Sequence, residues 1–197
     1  TWEGEGAGVL LNQSVHNLDL WQWMLGMPRR IRAFAYEGKY HDIQVEDDVT
    51  IYAEYACGAT GVFMTSTGEY PGANRLEIQY DAGKIIYEGG LLRIWSLSES
   101  ARSFSDRTEQ PFSAPEISYE EAETAHRGIM TNFVNSILRG EPLIASGKEG
   151  IYALSLCNAA LLSSWKDDWV SFAAETDCTD PLLSYEKEYK ARLDRKI

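Results

Sequence analysis

Polar side chains interrupt an apolar stretch near the start of the chain. Within residues 6–26 they are Asn12, His16 and Asp19. At about 100° per residue they fall, with Trp23, inside a sector of roughly 60° of one helix. A helix that is apolar nearly all round belongs in an interior, where an amide, an imidazole and a carboxylate each need a partner or a ligand. Because imidazole exchanges protons near neutral pH, the stripe predicts either a hydrogen-bonded core network or a proton-handling site.

Other acidic and histidine side chains in the first half of the chain are less suggestive of chemistry. His41 sits beside Asp42 in a polar loop, which predicts a solvent-exposed ring. Asp47 and Asp48 directly precede a run of strand character. They are therefore predicted to form a solvated edge rather than a catalytic dyad.

The third histidine, His126, lies near the start of a helix predicted over residues 120–139. There it could cap the helix, pair with Glu123 or point into a pocket. The histidines form no His-x-x-x-His or His-Glu-x-x-His pair, and no serine lies in a Gly-x-Ser-x-Gly turn. Neither a zinc site nor a hydrolase nucleophile is therefore predicted.

Charge and cysteine content narrow the function classes. The 197 residues carry 30 acidic against 18 basic side chains, a formal net charge of -12, which would repel nucleic-acid phosphates and anionic membranes. Three widely spaced cysteines without a Cys-x-x-Cys pair indicate neither a disulfide framework nor a thiolate metal site, and a reducing cytoplasm fits best. The uncharged run over residues 9–18 contains polar side chains, so no membrane span is expected.

The glycines before the stripe do not have the spacing of a nucleotide-binding loop. Gly4, Gly6 and Gly8 do not fit Gly-x-Gly-x-x-Gly and follow no predicted strand. They are predicted to give a flexible, close-packed approach to the helix. That helix is predicted to end at Gly26, with Pro28 just beyond it.

Alternating apolar and polar residues predict about six antiparallel strands between positions 29 and 97. The predicted strands cover residues 29–40, 49–55, 62–67, 76–80, 84–88 and 91–97. Turn residues at 81–83 and 89–90 connect the last three strands, which are predicted to extend the same antiparallel meander.

Helices are predicted to return after the sheet. A capping-box pattern over residues 118–121 opens the helix over 120–139, a second helix covers 148–165, and the tail 181–197 is predicted as a surface helix. This order predicts a single α+β domain, with an open, mainly antiparallel sheet of about six or more strands and helices packed on one face. Because the chain begins at Thr1 without an initiator Met, we expect it to continue a longer polypeptide.

The stretch from residue 8 to residue 26 resembles a motif in the C-terminal domain of the glucose-fructose oxidoreductase, inositol dehydrogenase and rhizopine-catabolism (GFO/IDH/MocA) family. Further stretches resemble later landmarks of that domain, so the resemblance extends across nearly the whole chain. These are residues 46–49, 67–75, 81–88, 126–133 and 147–151. The resemblance implies an open sheet that supplies substrate contacts and an oligomer interface, and an N-terminal Rossmann domain, absent from this chain, that binds NAD or NADP.

The resemblance also implies roles for individual residues. In the family, a secondary alcohol carbon gives up hydride to nicotinamide while its hydroxyl proton passes to a base, so His16 is expected to be the catalytic proton acceptor. The family's aspartate at the partner position is Asn12 here, and an amide can orient a neighbour but accepts no proton. Asp19 is expected to bind a substrate hydroxyl, and Tyr70 and His126 are further candidates for substrate binding.

We therefore expect the substrate-binding and oligomerisation domain of an NAD(P)-dependent oxidoreductase acting on a sugar, a cyclitol or a related polyol. The chain has no dinucleotide fingerprint, so by itself it is not expected to bind NAD or NADP tightly. Expected partners are its own Rossmann domain and further copies, in a homodimer or homotetramer through the open sheet face. The alternative is a noncatalytic sheet module that dimerises or binds a small ligand, which Asn12 favours.

Overall fold

The computed structural model describes residues 4, 6–104, 125–172 and 188–191. Among these residues, no helix has both the length and the apolar character needed to cross a membrane. The chain divides into two compact units, one comprising Thr1–Gly68 with Ala145–Ile197 and the other comprising Glu69–Ile144. The predicted capping box and most of the predicted tail helix lie outside the described residues.

The described elements are named here in chain order. They are α1 (Val9–Asn12), α2 (Val15–Leu25), β1 (Arg30–Glu37), β2 (Glu46–Glu54), β3 (Thr60–Ser66), β4 (Arg75–Tyr80), β5 (Gly83–Glu88), β6 (Leu91–Ser96), α3 (Ala101–Phe104), α4 (Ala125–Arg139), α5 (Gly150–Lys166) and β7 (Val170–Ser171). All strand pairs are antiparallel, in a four-stranded sheet of order β3-β2-β1-β7 and a three-stranded sheet of order β4-β5-β6.

One face of the four-stranded sheet carries the hydrophobic core of the first unit. Successive side chains of a strand point to opposite faces. Alternate residues of β1 and β2 therefore share the core side, and five of them are at most 1% exposed: Ile31, Ala33, Val49, Ile51 and Ala53. Helix α1 packs on β2, α5 packs on β1, and α2 lies beside α5. The predicted arrangement, with helices on one face of an antiparallel sheet, is confirmed.

Serine hydroxyls complete the edge of β1 that the short strand β7 leaves open. Because β7 pairs only with the first two residues of β1, the N–H groups of Ala33 and Ala35 need other acceptors. The hydroxyl oxygens of Ser163 and Ser164, near the end of α5, accept them at 2.9 Å each. Hydrogen bonds as well as apolar side chains therefore fix α5 to β1.

The opposite face of the four-stranded sheet, called the outer face below, is open and rich in large apolar side chains. Its exposed members are Phe34, Tyr36, Tyr52, Val62 and Met64. They come from β1, β2 and β3 and share the side away from the core. An exposed apolar patch of this kind commonly marks an association surface.

The second unit contains the meander β4-β5-β6 with α3 and α4. Gly89 and Gly90 form the turn between β5 and β6 with φ values of 60° and 78°, a conformation that costs glycine no Cβ strain.

The six strands predicted between positions 29 and 97 are all present. They form two sheets rather than one continuous meander, since β3 pairs with β2 and β4 pairs with β5, but β3 and β4 do not pair with each other.

The single helix predicted up to Gly26 is instead two helices. Ser14 interrupts it, because its N–H and its hydroxyl both donate to the carbonyl oxygen of Val9 at 2.9 Å. A serine that bonds back to the preceding turn competes with the helical hydrogen-bond pattern. The predicted end at Gly26 is confirmed, with φ at 75°.

Candidate functional site

The polar stripe lies on the exposed side of α1 and α2. Leu10 and Leu18 are fully buried in the core of the first unit. Asn12, His16 and Asp19, by contrast, are exposed. The apolar residues therefore anchor the two helices from one side and leave the three polar side chains available at the surface of this unit.

Burial of this segment on nearly every side was expected and is wrong. Trp23 follows Asp19 by one helical turn on the same side of α2 and is 73% exposed. Asp19 accepts a hydrogen bond from Gln22 at 3.0 Å, but among the described residues no hydrogen bond joins Asn12 to His16. Within the described residues the stripe therefore forms no buried hydrogen-bonded network.

A buried carboxylate on β2 holds the start of α1. The Glu46 side chain is fully buried, its Oε2 accepts the N–H of Gly8 at 2.8 Å, and its Oε1 accepts the N–H of Leu10 at 3.2 Å. The first N–H groups of a helix have no partner within the helix, and here β2 supplies one. Burial raises the pKa of Glu46, and these N–H donors oppose that rise.

Gly8 allows α1 to approach β2 closely. A Cβ at this position would lie 1.9 Å from the carbonyl oxygen of Glu46, so a larger residue requires a backbone shift. The close-packed approach predicted for this segment is therefore confirmed at Gly8. Since the N–H of Gly8 already donates to a carboxylate, it is not available to bind the phosphates of a dinucleotide.

A buried thiol connects α1 to α5. The Cys157 Sγ donates to the carbonyl oxygen of Leu10 at 3.7 Å. Burial raises the pKa of Cys157 to about 12, and the nearby charge of Glu46 adds to the rise, so the group stays a thiol at neutral pH. Segment α1 is thus held from both β2 and α5.

The solvated edge predicted for Asp47 is wrong. Its carboxylate is fully buried and accepts the N–H groups of Lys39, Tyr40 and His41 at 2.8 to 3.0 Å, because the β1–β2 loop folds over the start of β2. The ring of His41 stays exposed, as predicted, with Nδ1 3.2 Å from Oδ2 of Asp47. Burial would raise the pKa of Asp47, but the N–H donors outweigh it and hold the pKa below its usual value.

The remaining predicted site residues lie in the second unit. Tyr70, in the loop before β4, is fully exposed. His126, in the first turn of α4, is also exposed. Within the described ranges, no three His, Cys, Asp or Glu side chains are grouped so that they could hold a metal ion.

Several solved proteins share this fold. The WlbA dehydrogenase from Bordetella pertussis, solved with NADH and UDP-GlcNAcA, has 20% identity and a TM-score of 0.63 over 86% of this chain and 46% of its own. An oxidoreductase domain protein from Kribbella flavida has 18% identity and a TM-score of 0.68 over 84% of this chain and 50% of its own. A levoglucosan dehydrogenase solved with NADH has 17% identity and a TM-score of 0.66 over 84% and 50%.

The chain spans about half the length of these solved proteins. No curated protein matches its sequence. The sequence profile of the family described as GFO/IDH/MocA C-terminal domain matches residues 1–86, which contain α1, α2, β1 to β4 and the first part of β5. The resemblance predicted from the sequence is therefore confirmed: over residues 1–86 this chain is a match to the GFO/IDH/MocA C-terminal domain, and its fold is that of solved oxidoreductases.

Proposed function

We propose that this chain is the substrate-binding and oligomerisation part of an NAD(P)-dependent oxidoreductase that acts on a sugar, a cyclitol or a related polyol. The observation that carries the proposal is the exposed imidazole of His16 on a helix whose opposite side is fixed in the core. The family match, and the sugar-type compounds named for the solved relatives, support the substrate class.

In this proposal His16 accepts the hydroxyl proton of the substrate during oxidation and returns it during reduction. Imidazole suits both directions because its neutral and protonated forms are both accessible near neutral pH. A rigid support favours this role, since proton transfer requires the acceptor to lie within hydrogen-bond distance of the hydroxyl. Buried Leu18, two residues beyond His16, provides such an anchor on the other side of α2.

Asn12 has a different role from an aspartate at the same place. Its amide can donate and accept hydrogen bonds but offers no charge to stabilise an imidazolium. We therefore assign Asn12 to orientation of the substrate or of the imidazole. Asp19, one turn beyond His16, is assigned to a substrate hydroxyl, which a carboxylate binds as an acceptor. Tyr70 and His126, which belong to the second unit, are each proposed as substrate-binding residues.

The proposed NAD or NADP is held by the intact protein, because the glycine-rich segment of this chain does not fit a dinucleotide. Gly8 is packed against β2, and its N–H is committed to Glu46. Bound nicotinamide supplies the hydride acceptor for the carbinol carbon. The part assigned to this chain is to bind the polyol, to orient its hydroxyl and to take the proton.

Association of further copies is proposed through the outer face, as a homodimer or a homotetramer. Five large apolar side chains are exposed there, and the described helices that pack on this sheet, α1 and α5, lie on its core side. The proposal also includes the protein's own Rossmann domain as a partner. A cytoplasmic setting is supported by the free thiols of Cys57 and Cys157.

The proposal is tested by kinetics of the intact protein carrying His16→Ala. A panel of sugars, inositols and nucleotide sugars with NAD or NADP first identifies a substrate from the absorbance of the reduced nicotinamide. Loss of the proton acceptor is expected to lower turnover by about 10² to 10⁴. His41→Ala is the matched control, since it removes another exposed imidazole, and it should keep wild-type turnover. Near-normal turnover of His16→Ala would contradict the assignment.

A further inference from the structure

We infer that Glu46 is a positioning residue for the His16 site: from β2, its carboxylate fixes the place of α1 and, through Ser14, the start of the helix that carries His16. This inference rests on the role proposed for His16. Glu46 itself touches no proposed substrate contact and is fully buried.

The first step is the cap that Glu46 gives to α1. This four-residue helix has no side-chain cap of its own at Gly8. Both oxygens of the Glu46 carboxylate are used, one by the N–H of Gly8 and the other by the N–H of Leu10. Two charge-assisted hydrogen bonds to one rigid strand define both the distance and the direction of α1.

The second step is the steric contact below the cap. Because a Cβ at Gly8 would lie 1.9 Å from the carbonyl oxygen of Glu46, the backbones of α1 and β2 are already in close contact. Any change that loosens the two hydrogen bonds can only move α1 away from β2 or slide it along the strand. Helix α1 has no room to compensate by moving closer to β2.

The third step carries this restraint to His16. Ser14 donates from its N–H and from its hydroxyl to the carbonyl oxygen of Val9, at 2.9 Å each. Its own carbonyl oxygen accepts the N–H of Leu18 at 3.0 Å and so begins α2. The backbone is therefore hydrogen-bonded without interruption from the residues held by Glu46 to the turn that contains His16.

Glutamine at position 46 would keep the size of the side chain but would not keep both bonds. Its amide has one oxygen acceptor and an NH₂ group, which would face one of the two N–H donors. We expect α1 to shift and to displace Asn12 and His16 from the substrate hydroxyl. A misplacement of about 1 Å is enough to lower the rate of a positioned reaction by up to about 100-fold.

Kinetics of the intact enzyme with Glu46→Gln, with Asp47→Asn as matched control, test the inference. Asp47 is the neighbouring buried carboxylate, but it holds the loop at residues 39–41 and not α1. Glu46→Gln should lower kcat by about 10- to 100-fold with KM changed less than about threefold, because orientation and not binding is lost. Asp47→Asn should leave kcat within about twofold of the wild type.

Amide hydrogen exchange of the same proteins separates positioning from general damage. In Glu46→Gln, exchange at residues 8–10 should accelerate at least about tenfold while residues 39–41 keep their protection, and Asp47→Asn should show the reverse. If Glu46→Gln does not fold, Glu46→Asp, whose side chain is one methylene shorter, takes its place. If both fail to fold, the amide protons of Gly8 and Leu10 in the wild type must shift with the Glu46 titration.

The outcomes distinguish this inference from the proposed function. Normal kcat in Glu46→Gln, equal loss of kcat in Asp47→Asn, or amide protons of Gly8 and Leu10 that ignore the Glu46 titration would each overturn the positioning role. If His16→Ala keeps its turnover while exchange at residues 8–10 responds as expected, the proposed function fails and the support of α1 by Glu46 stands.

Discussion

At the scale of single residues, two neighbouring carboxylates at the start of β2 are fully buried. Backbone N–H groups stabilise both, two for Glu46 and three for Asp47, and the ring of His41 lies 3.2 Å from the Asp47 carboxylate. Burial dominates for Glu46, whose pKa is raised, while N–H donors dominate for Asp47, whose pKa is lowered. The two side chains therefore stabilise different segments, and their contributions to the free energy of unfolding change with pH in opposite directions.

Replacing Asp47 by Asn should lower the free energy of unfolding at neutral pH by about 1–3 kcal/mol, because charge-assisted bonds to N–H groups are lost. Since the pKa of Asp47 is lowered on folding, its contribution is present above the unfolded-state pKa of about 3.9 and is lost as pH falls through the folded-state pKa. Urea unfolding at pH values from neutral to strongly acidic measures both effects. A variant that keeps the acid sensitivity of the wild type would contradict this assignment.

Replacing Gly8 by Ala should also destabilise the protein, by about 1–3 kcal/mol, because the new methyl group overlaps the Glu46 carbonyl oxygen. Gly150→Ala is the control, since a Cβ there meets no atom within 4 Å and Gly150 begins a helix. That control should be neutral or slightly stabilising. Equal denaturation midpoints for Gly8→Ala and the wild type would show that α1 does not depend on close approach.

The spacing of the candidate site residues could be predicted from the sequence, but the contacts that hold their helices in place could not. Asn12, His16 and Asp19 stand out because three polar groups repeat at helical spacing among leucines. Glu46 gave no comparable signal, since its N–H partners lie 36 and 38 residues earlier in the chain. Asp47 was wrongly predicted as exposed because no local pattern shows that a loop folds over it.

At the scale of elements, α5 supports both the four-stranded sheet and the helices α1 and α2. It packs against β1 and α2 and makes a hydrogen bond to the carbonyl of Leu10. The hydroxyl of Ser163 both accepts from Ala33 and donates to the carbonyl of Asp168 at 2.6 Å, which completes the edge of β1. A second buried serine of the same helix, Ser155, has no partner for its hydroxyl among the described residues.

Replacing Ser163 by Ala should therefore lower the free energy of unfolding by about 1–3 kcal/mol, because the buried N–H of Ala33 loses its acceptor. Ser155→Ala makes the same chemical change on the same buried helix without breaking a hydrogen bond. It should be neutral or stabilising. Chemical denaturation of both variants is the measurement, and similar losses at the two positions would contradict the edge-capping role.

Strands were easier to predict than their grouping. Period-two patterns and glycine turns located all six strands between positions 29 and 97, because these signals are local. The separation into two sheets and the interruption at Ser14 depend on hydrogen-bond partners that the patterns do not specify. The helix over 120–139 was predicted with the correct end, and α4 does stop at Arg139.

At the scale of the whole molecule, the outer face and the exposed stripe are two surfaces for different proposed partners. The outer face carries five exposed large apolar side chains and belongs to the proposed contact between copies, while the stripe is polar and belongs to the proposed chemistry. Both surfaces belong to the first unit, whose hydrophobic core lies between the four-stranded sheet and the helices.

A charge placed on the outer face should weaken the proposed assembly of the intact protein. Met64→Lys puts an ammonium group at a side chain that is 72% exposed on the outer face, beside Val62 of the same strand. It should raise the dissociation constant at least about tenfold, because desolvating a charge in an interface is costly. Tyr80→Lys, an exposed position of the second unit, is the control. Sedimentation velocity measures both, and an unchanged assembly for Met64→Lys would remove this face from the proposal.

The most direct test of the central claim, that His16 accepts the substrate proton, is the pH dependence of kcat/KM in the intact enzyme with and without His16→Gln. In the wild type, kcat/KM for oxidation should fall on acidification because an imidazolium cannot accept a proton. In His16→Gln, that fall should disappear and the remaining rate should be lower by about 10² to 10⁴. A variant that keeps the wild-type profile and rate would contradict the claim.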